Sequence, residues 1–89
     1  MINARQRQMY LREIDYNLSL IEALKHSIIV DIRENKRLRI AKSVVTTSTS
    51  KKIYAAAIRN NIARIKDARI NISRCKKVVR SNRKTLGHK

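Results

Sequence analysis

The chain has 89 residues, 22 Lys and Arg against 6 Asp and Glu, and a formal net charge of +16. That length makes one small domain at most, and a composition of one Cys, one Gly and no Pro excludes a disulfide framework and a phosphate-cradling glycine loop. Cys75, His26 and His88 cannot furnish the four donors of a tetrahedral zinc site, and Ile28-Ile29-Val30, the longest aliphatic run, falls far short of the roughly 20 residues of a membrane span.

The first element in chain order is a helix over residues 4–44. Arg5, Arg7 and Arg12 would suit a mitochondrial presequence, but Glu13 and Asp15 oppose that reading and also interrupt any signal-peptide core. Leu11, Ile14, Leu18, Ile21, Leu24 or Lys25, Ile28 and Ile32 follow steps of three and four, which is one apolar stripe of an amphipathic helix. Neither Pro nor Gly interrupts it.

Val45-Thr46-Thr47-Ser48-Thr49-Ser50 follows. Small hydroxyl and β-branched residues are mediocre helix formers, and Ser and Thr favour N-caps. A loop is expected at 45–50, with Ser48 or Ser50 capping what comes next. A second helix is predicted over 51–82. Its seam is Ile58, Ile62, Ile65, Ala68, Ile72, Cys75 and Val79, close to the coiled-coil period. Residues 83–89 are polar, contain Gly87 and are expected to fray. Two amphipathic helices joined by a short loop return antiparallel. The expected fold is therefore all-α, a long two-helix hairpin with a short polar tail. Such a hairpin has little interior and is marginal alone, so full ordering is expected on a large negative partner.

The charge is divided along the chain. Residues 1–34 carry five bases and five acids, whereas 35–89 carry seventeen bases and one acid, Asp67. The asymmetry points to a polyanion. The bases of the second helix are spread around its non-seam surface, which suits phosphates approaching from several sides, as in a folded RNA. Only three Tyr are present, with no Phe or Trp. Base-stacking recognition of single strands is therefore unsupported, and shape and backbone recognition is favoured.

Leu38-Arg39-Ile40-Ala41-Lys42, the Thr/Ser-rich turn, and Ile58-Arg59-Asn60-Asn61-Ile62-Ala63-Arg64-Ile65 together resemble the universal large-subunit ribosomal protein twenty-nine family, large-subunit protein thirty-five in eukaryotic nomenclature. That family has a Leu-Arg-hydrophobic-Ala-Lys stretch ending its first helix. Its basic second helix carries Ile-Arg and then Ile-Ala-Arg. The match covers residues 34–70, and its form is the eukaryotic and archaeal one. Asn60 stands where a base is usual, the turn lacks the glycines common in relatives, and the eukaryotic C-terminal extension is largely missing. The resemblance implies a structural constituent of the large ribosomal subunit in the cytoplasm. Its implied partners are large-subunit rRNA and the protein twenty-three family at the nascent-peptide exit tunnel, where factors such as the signal-recognition particle dock.

Carried onto matching positions, the resemblance implies rRNA contacts for Arg39, Lys42, Arg59 and Arg64. Charge alone adds Lys36, Arg37, Lys51, Lys52, Lys66 and Arg69 as rRNA-binding candidates. Cys75 falls on the seam as a small hydrophobe, and His26 is read as polar surface. No catalytic, cofactor or metal residue is assigned, because a hairpin offers no pocket from which water is excluded. The competing reading is a basic helical protein that self-associates through the seam of the second helix and compacts DNA. A helix lying on anionic membrane is the weakest reading, since Trp and Phe are lacking; no membrane insertion is expected.

Overall fold

The computed structural model describes residues 2–87. Two helices, α1 (Ala4–Val44) and α2 (Ser48–Thr85), are joined by Val45-Thr46-Thr47 and pack antiparallel into a rod of 67 × 21 × 14 Å. The expected hairpin is present.

Each helix has a defined start. Asn3 caps α1 with a capping box: the Gln6 amide donates to Asn3 Oδ1 at 2.9 Å, and the Asn3 amide donates to Gln6 Oε1 at 3.1 Å. The cap of α2 is Thr47, whose Oγ1 accepts from the Ser50 amide at 3.2 Å. The helix thus begins three residues before the expected position, and Ser48 and Ser50 lie inside its first turn rather than at the cap. The Ser/Thr run offers several capping hydroxyls, and use of Thr47 rather than Ser48 or Ser50 brings Ser48–Ser50 into the helix. The far end also differs from expectation. α2 continues to Thr85, and the Leu86 amide donates to the Asn82 carbonyl at 2.9 Å. Gly87 follows at φ +79°, the left-handed position that ends many helices. The expected frayed tail is therefore ordered through Gly87; His88 and Lys89 lie outside the described residues.

The seam is a regular heptad in both helices. In α1, Tyr10, Ile14, Asn17, Ile21, Leu24, Ile28, Asp31, Asn35, Leu38 and Lys42, continued by Val45 of the connection, step alternately by four and three, and each is buried or half-buried. In α2 the same is true of Tyr54, Ile58, Asn61, Ile65, Ala68, Ile72, Cys75, Val79 and Asn82, continued by Leu86 just past the helix end. This register corrects the sequence reading at four places. Leu11, Leu18 and Ile32 flank the α1 seam instead of filling it, and Ile62 is 49% exposed beside Asn61. A hydrophobicity pattern admits neighbouring flank residues into a stripe. A two-helix seam admits one residue per half-heptad.

The outcome is a seam with polar members. Asn17, Asp31, Asn35 and Asn82 are buried, while large aliphatic side chains lie outside. Asn17 Nδ2 donates back to the Glu13 carbonyl at 2.7 Å, and Asn35 Nδ2 reaches across to the Ile58 carbonyl at 3.4 Å. Buried polar groups at seam positions fix helix register at a cost in stability. The buried apolar cluster is at the open end of the hairpin: Ile14, Val79 and Leu86, with Ile2 and Tyr10 packed against them.

Candidate nucleic-acid interface

A heptad rod has two long sides. On one, the α1 flank residues Leu11, Leu18, Lys25, Ile32 and Arg39 recur every seven residues, as do Ala55, Ile62, Arg69, Lys76 and Arg83 of α2. Three successive grooves join these flanks. Near the loop, Arg39 and Lys42 meet Lys51, Ala55 and Arg59. Midway, Ile32 meets Ile62, Lys66 and Arg69. Toward the open end, Leu18 and Lys25 meet Lys76, Arg80 and Arg83.

This side holds half of the surplus charge, and the opposite side holds none of it. By register it carries Lys52, Arg59, Lys66, Arg69, Lys76, Arg80 and Arg83 from α2 and Lys25, Lys36 and Arg39 from α1, against two acids, Asp15 and Glu22. The opposite side carries Arg37, Arg64 and Arg74 against Glu13, Glu34 and Asp67, and is neutral. Lys42 and Lys51 sit at the seam edge and open into the basic groove. The bases therefore do not wrap α2 evenly, as its sequence suggested. Most of them form one stripe, with Lys77 on its outer edge and Lys84 lining the third groove, while Arg64 and Arg74 lie on the other side.

The ten predicted residues divide accordingly. Arg39, Lys42, Lys51, Arg59, Lys66 and Arg69 line the grooves, and Lys36 and Lys52 lie on the same side by register. Arg37 and Arg64 are on the neutral side. Arg37 lies 3.6 Å from Glu34, and Arg64 lies 3.4 Å from Asp31. The sequence reading missed Lys25, Lys76, Arg80 and Arg83, which line the third groove. The signal for Lys76, Arg80 and Arg83 was spacing in sevens from Arg59 and Arg69, and for Lys25 the same spacing from Arg39, visible once Asn61 and Asn82 are taken as seam residues.

The stripe is suited to a phosphate backbone. Arg59 to Arg83 spans about 36 Å of helix axis, at ~1.5 Å per residue. A duplex presents about one charge per 1.7 Å over such a length. The groove floors are apolar, with Ile21, Ile32, Ile58, Ile62 and Ile65 among the lining residues, so Lys and Arg stems can lie on them while their charged ends stay in water. Among the described residues, Lys25 is the one base of the stripe with a carboxylate partner, Glu22 at 3.5 Å.

No group of three or more metal-ligating side chains occurs among the described residues, and no helix there is long and apolar enough to cross a membrane. Comparison with known proteins finds no family model, curated protein or solved structure that matches the chain.

Proposed function

We propose that this chain is a structural RNA-binding protein that lies lengthwise along a folded RNA and neutralises its phosphates with one basic side. The observation that carries the reading is the one-sided stripe: ten bases against two acids on one flank, and a balanced opposite flank. A solvated surface has no need of that segregation, whereas contact with one extended polyanion does.

The finer form of the proposal is large-subunit rRNA near the nascent-peptide exit, with the protein twenty-three family as neighbour. It rests on the resemblance of residues 38–42 and 58–65 to the protein twenty-nine family. It is supported by the convergence of Arg39, Lys42 and Arg59, from both motif stretches, in one groove. Arg64 is turned to the other side beside Asp31 and is not part of that groove. RNA is preferred over DNA compaction because the α2 seam, the surface for self-association in that alternative, is packed on α1 in the hairpin.

The test is equilibrium binding of the full chain to a folded large-subunit rRNA fragment and to a DNA duplex of equal charge, across a salt series. Preference for the folded RNA with a steep loss of affinity in salt supports the proposal. Equal affinity for both favours the DNA alternative, and indifference to both overturns the functional reading. Co-sedimentation with large ribosomal subunits through moderate salt tests the finer form.

A further inference from the structure

The basic side is more apolar than a two-helix seam requires. A helix that meets one partner needs apolar residues at its seam positions alone, whereas a helix of a larger bundle is apolar along one flank as well. The flank of α1 on the basic side is of the second kind. Leu11, Leu18 and Ile32 occupy it at multiples of seven, and Ile29 lies one turn from Ile32 on the same side. Ile62 of α2 shares the middle groove with Ile32, and Ile70 lines it farther on. With the Lys and Arg stems in place, Leu18, Ile29, Ile32, Ile62 and Ile70 are still between 39% and 49% exposed.

The two walls of this groove differ in charge. The α2 wall carries Lys66, Arg69, Lys76, Arg80 and Arg83 and no acid. The α1 wall between Leu11 and Ile32 carries Asp15 and Glu22 and one base, Lys25, which lies 3.5 Å from Glu22. An occupant must therefore be apolar toward α1 and anionic toward α2. A phosphate backbone satisfies the α2 wall and offers nothing apolar to the other. A bilayer surface needs the aliphatic side chains on a projecting face, and these lie in a groove beside Lys66 and Arg69. A second copy that turns the same side inward brings ten further bases to the ten already there.

We propose that the groove docks an acidic amphipathic helix of a partner protein and so completes a three-helix bundle. Its apolar stripe lies on Leu18, Ile32 and Ile62, and the carboxylates along one of its flanks face Lys66, Arg69 and Arg80. This is recognition of a helix in a groove, read by apolar anchors at three- and four-residue steps. Leu18 to Ile32 spans about 21 Å at ~1.5 Å per residue, or about four turns of the docked helix. The helix takes the same bases that an RNA would take, so the two exclude one another, and the partner covers the stripe of the free chain. The proposal rests on the uncovered aliphatic residues and does not require that the polyanion be RNA.

The test uses the full chain and two synthetic peptides of about 18 residues built from Glu, Ala and Leu. One sets Leu on a single helical stripe with Glu along one adjoining flank. The other has the same composition with that period scrambled. Fluorescence anisotropy in about 0.15 M salt, where the screening length is about 8 Å, reads affinity, and circular dichroism reads helix gained on binding. The patterned peptide is expected to become helical and to bind about tenfold more tightly than the scrambled one. Ile32→Gln and Ile62→Gln are each expected to weaken the patterned peptide about fivefold, and to leave the scrambled peptide and a folded RNA unaffected. Arg69→Gln should weaken all three. Helicity of the free variants checks that the hairpin stays folded. Equal affinity for the two peptides overturns the proposal, as does a patterned peptide indifferent to both isoleucine changes. Loss of RNA affinity in the isoleucine variants would assign these residues to RNA, and a dimer of the free chain that the same changes dissociate would assign them to a second copy; either result overturns it. A chain that binds the patterned peptide with these dependences and binds no RNA supports this proposal while overturning the function proposed above.

Discussion

Arg64 Nε lies 3.4 Å from Asp31 Oδ2, joining the middle of α2 to the middle of α1 across the neutral side of the hairpin. The pairing is unequal. The Asp31 side chain is 8% exposed and occupies a seam position, whereas Arg64 is 66% exposed on the flank. Most of the desolvation cost is therefore borne by the carboxylate. Truncation of Arg64 to Ala is expected to leave that carboxylate without its ion-pair partner and to lower stability by about 1 kcal/mol, since solvent already screens the guanidinium. Asp31→Leu should instead raise stability, because it restores an apolar residue to the seam. Urea unfolding of the two variants checks the opposite signs.

Asn35 gives a second expectation. It is 3% exposed, and its Oδ1 has no hydrogen-bond partner, while its Nδ2 makes one long bond to the Ile58 carbonyl. Replacement with Leu removes a buried orphan acceptor, worth about 1–3 kcal/mol. The melting temperature should rise by several degrees. Hydrogen exchange should at the same time show weaker protection around Asn35 and Ile58, because the hydrogen bond that Asn35 makes across the seam helps to hold the register there.

Thr47 sets the start of α2. Thr47→Ala is expected to cost about 1 kcal/mol, the usual value of a lost N-cap. Exchange should accelerate at the amides of Ser50 and Lys51, which donate to Thr47, and remain unchanged beyond Asn61. Ser48→Ala and Ser50→Ala, at the positions that the sequence suggested as caps, should cost less.

The two sides of the rod should differ in RNA binding. Each of Lys66, Arg69, Lys76 and Arg80 changed to Gln is expected to weaken binding and to reduce the salt slope by about one unit per phosphate contact. Arg37→Gln and Arg74→Gln, on the neutral side, should leave that slope unchanged. Filter binding across a salt series on one folded RNA reads both sets. Equal slopes from the two sides would remove the case for a single polyanion-binding stripe.

The hairpin was legible in the sequence because its strongest signals are local. An uninterrupted run without Gly or Pro fixed α1 at 4–44, and the Thr/Ser run marked the turn within three residues. Which face of each helix lies inward was less legible. Leu11, Leu18, Ile32 and Ile62 are as apolar as the residues that are buried, while Asn17, Asp31, Asn35 and Asn61 read as surface. Pairing along the full length decided the matter, since strict alternation of four- and three-residue steps between Ile14, Ile21 and Ile28, and between Ile58 and Ile65, puts Asn17, Leu24 and Asn61 inward and the neighbouring Leu18, Lys25 and Ile62 on the flank. The basic stripe was hidden for the same reason. A base belongs to one side or the other only after the seam is fixed, so Arg64 and Arg37 could not be told from Arg59 and Arg39 by type or count.

The three-residue connection Val45-Thr46-Thr47 has a kinetic consequence. Bringing together residues on either side of it closes the shortest available loop, while Ile14 and Val79 are separated by more than sixty residues. The entropic cost of closure grows with that separation, so zipping starts at the tip and the Ile14–Val79–Leu86 clasp closes last. Inserting a flexible glycine–serine segment after Thr46 should slow folding in stopped-flow measurements and leave the unfolding rate almost unchanged. Val79→Ala should do the reverse, accelerating unfolding with little effect on the folding limb.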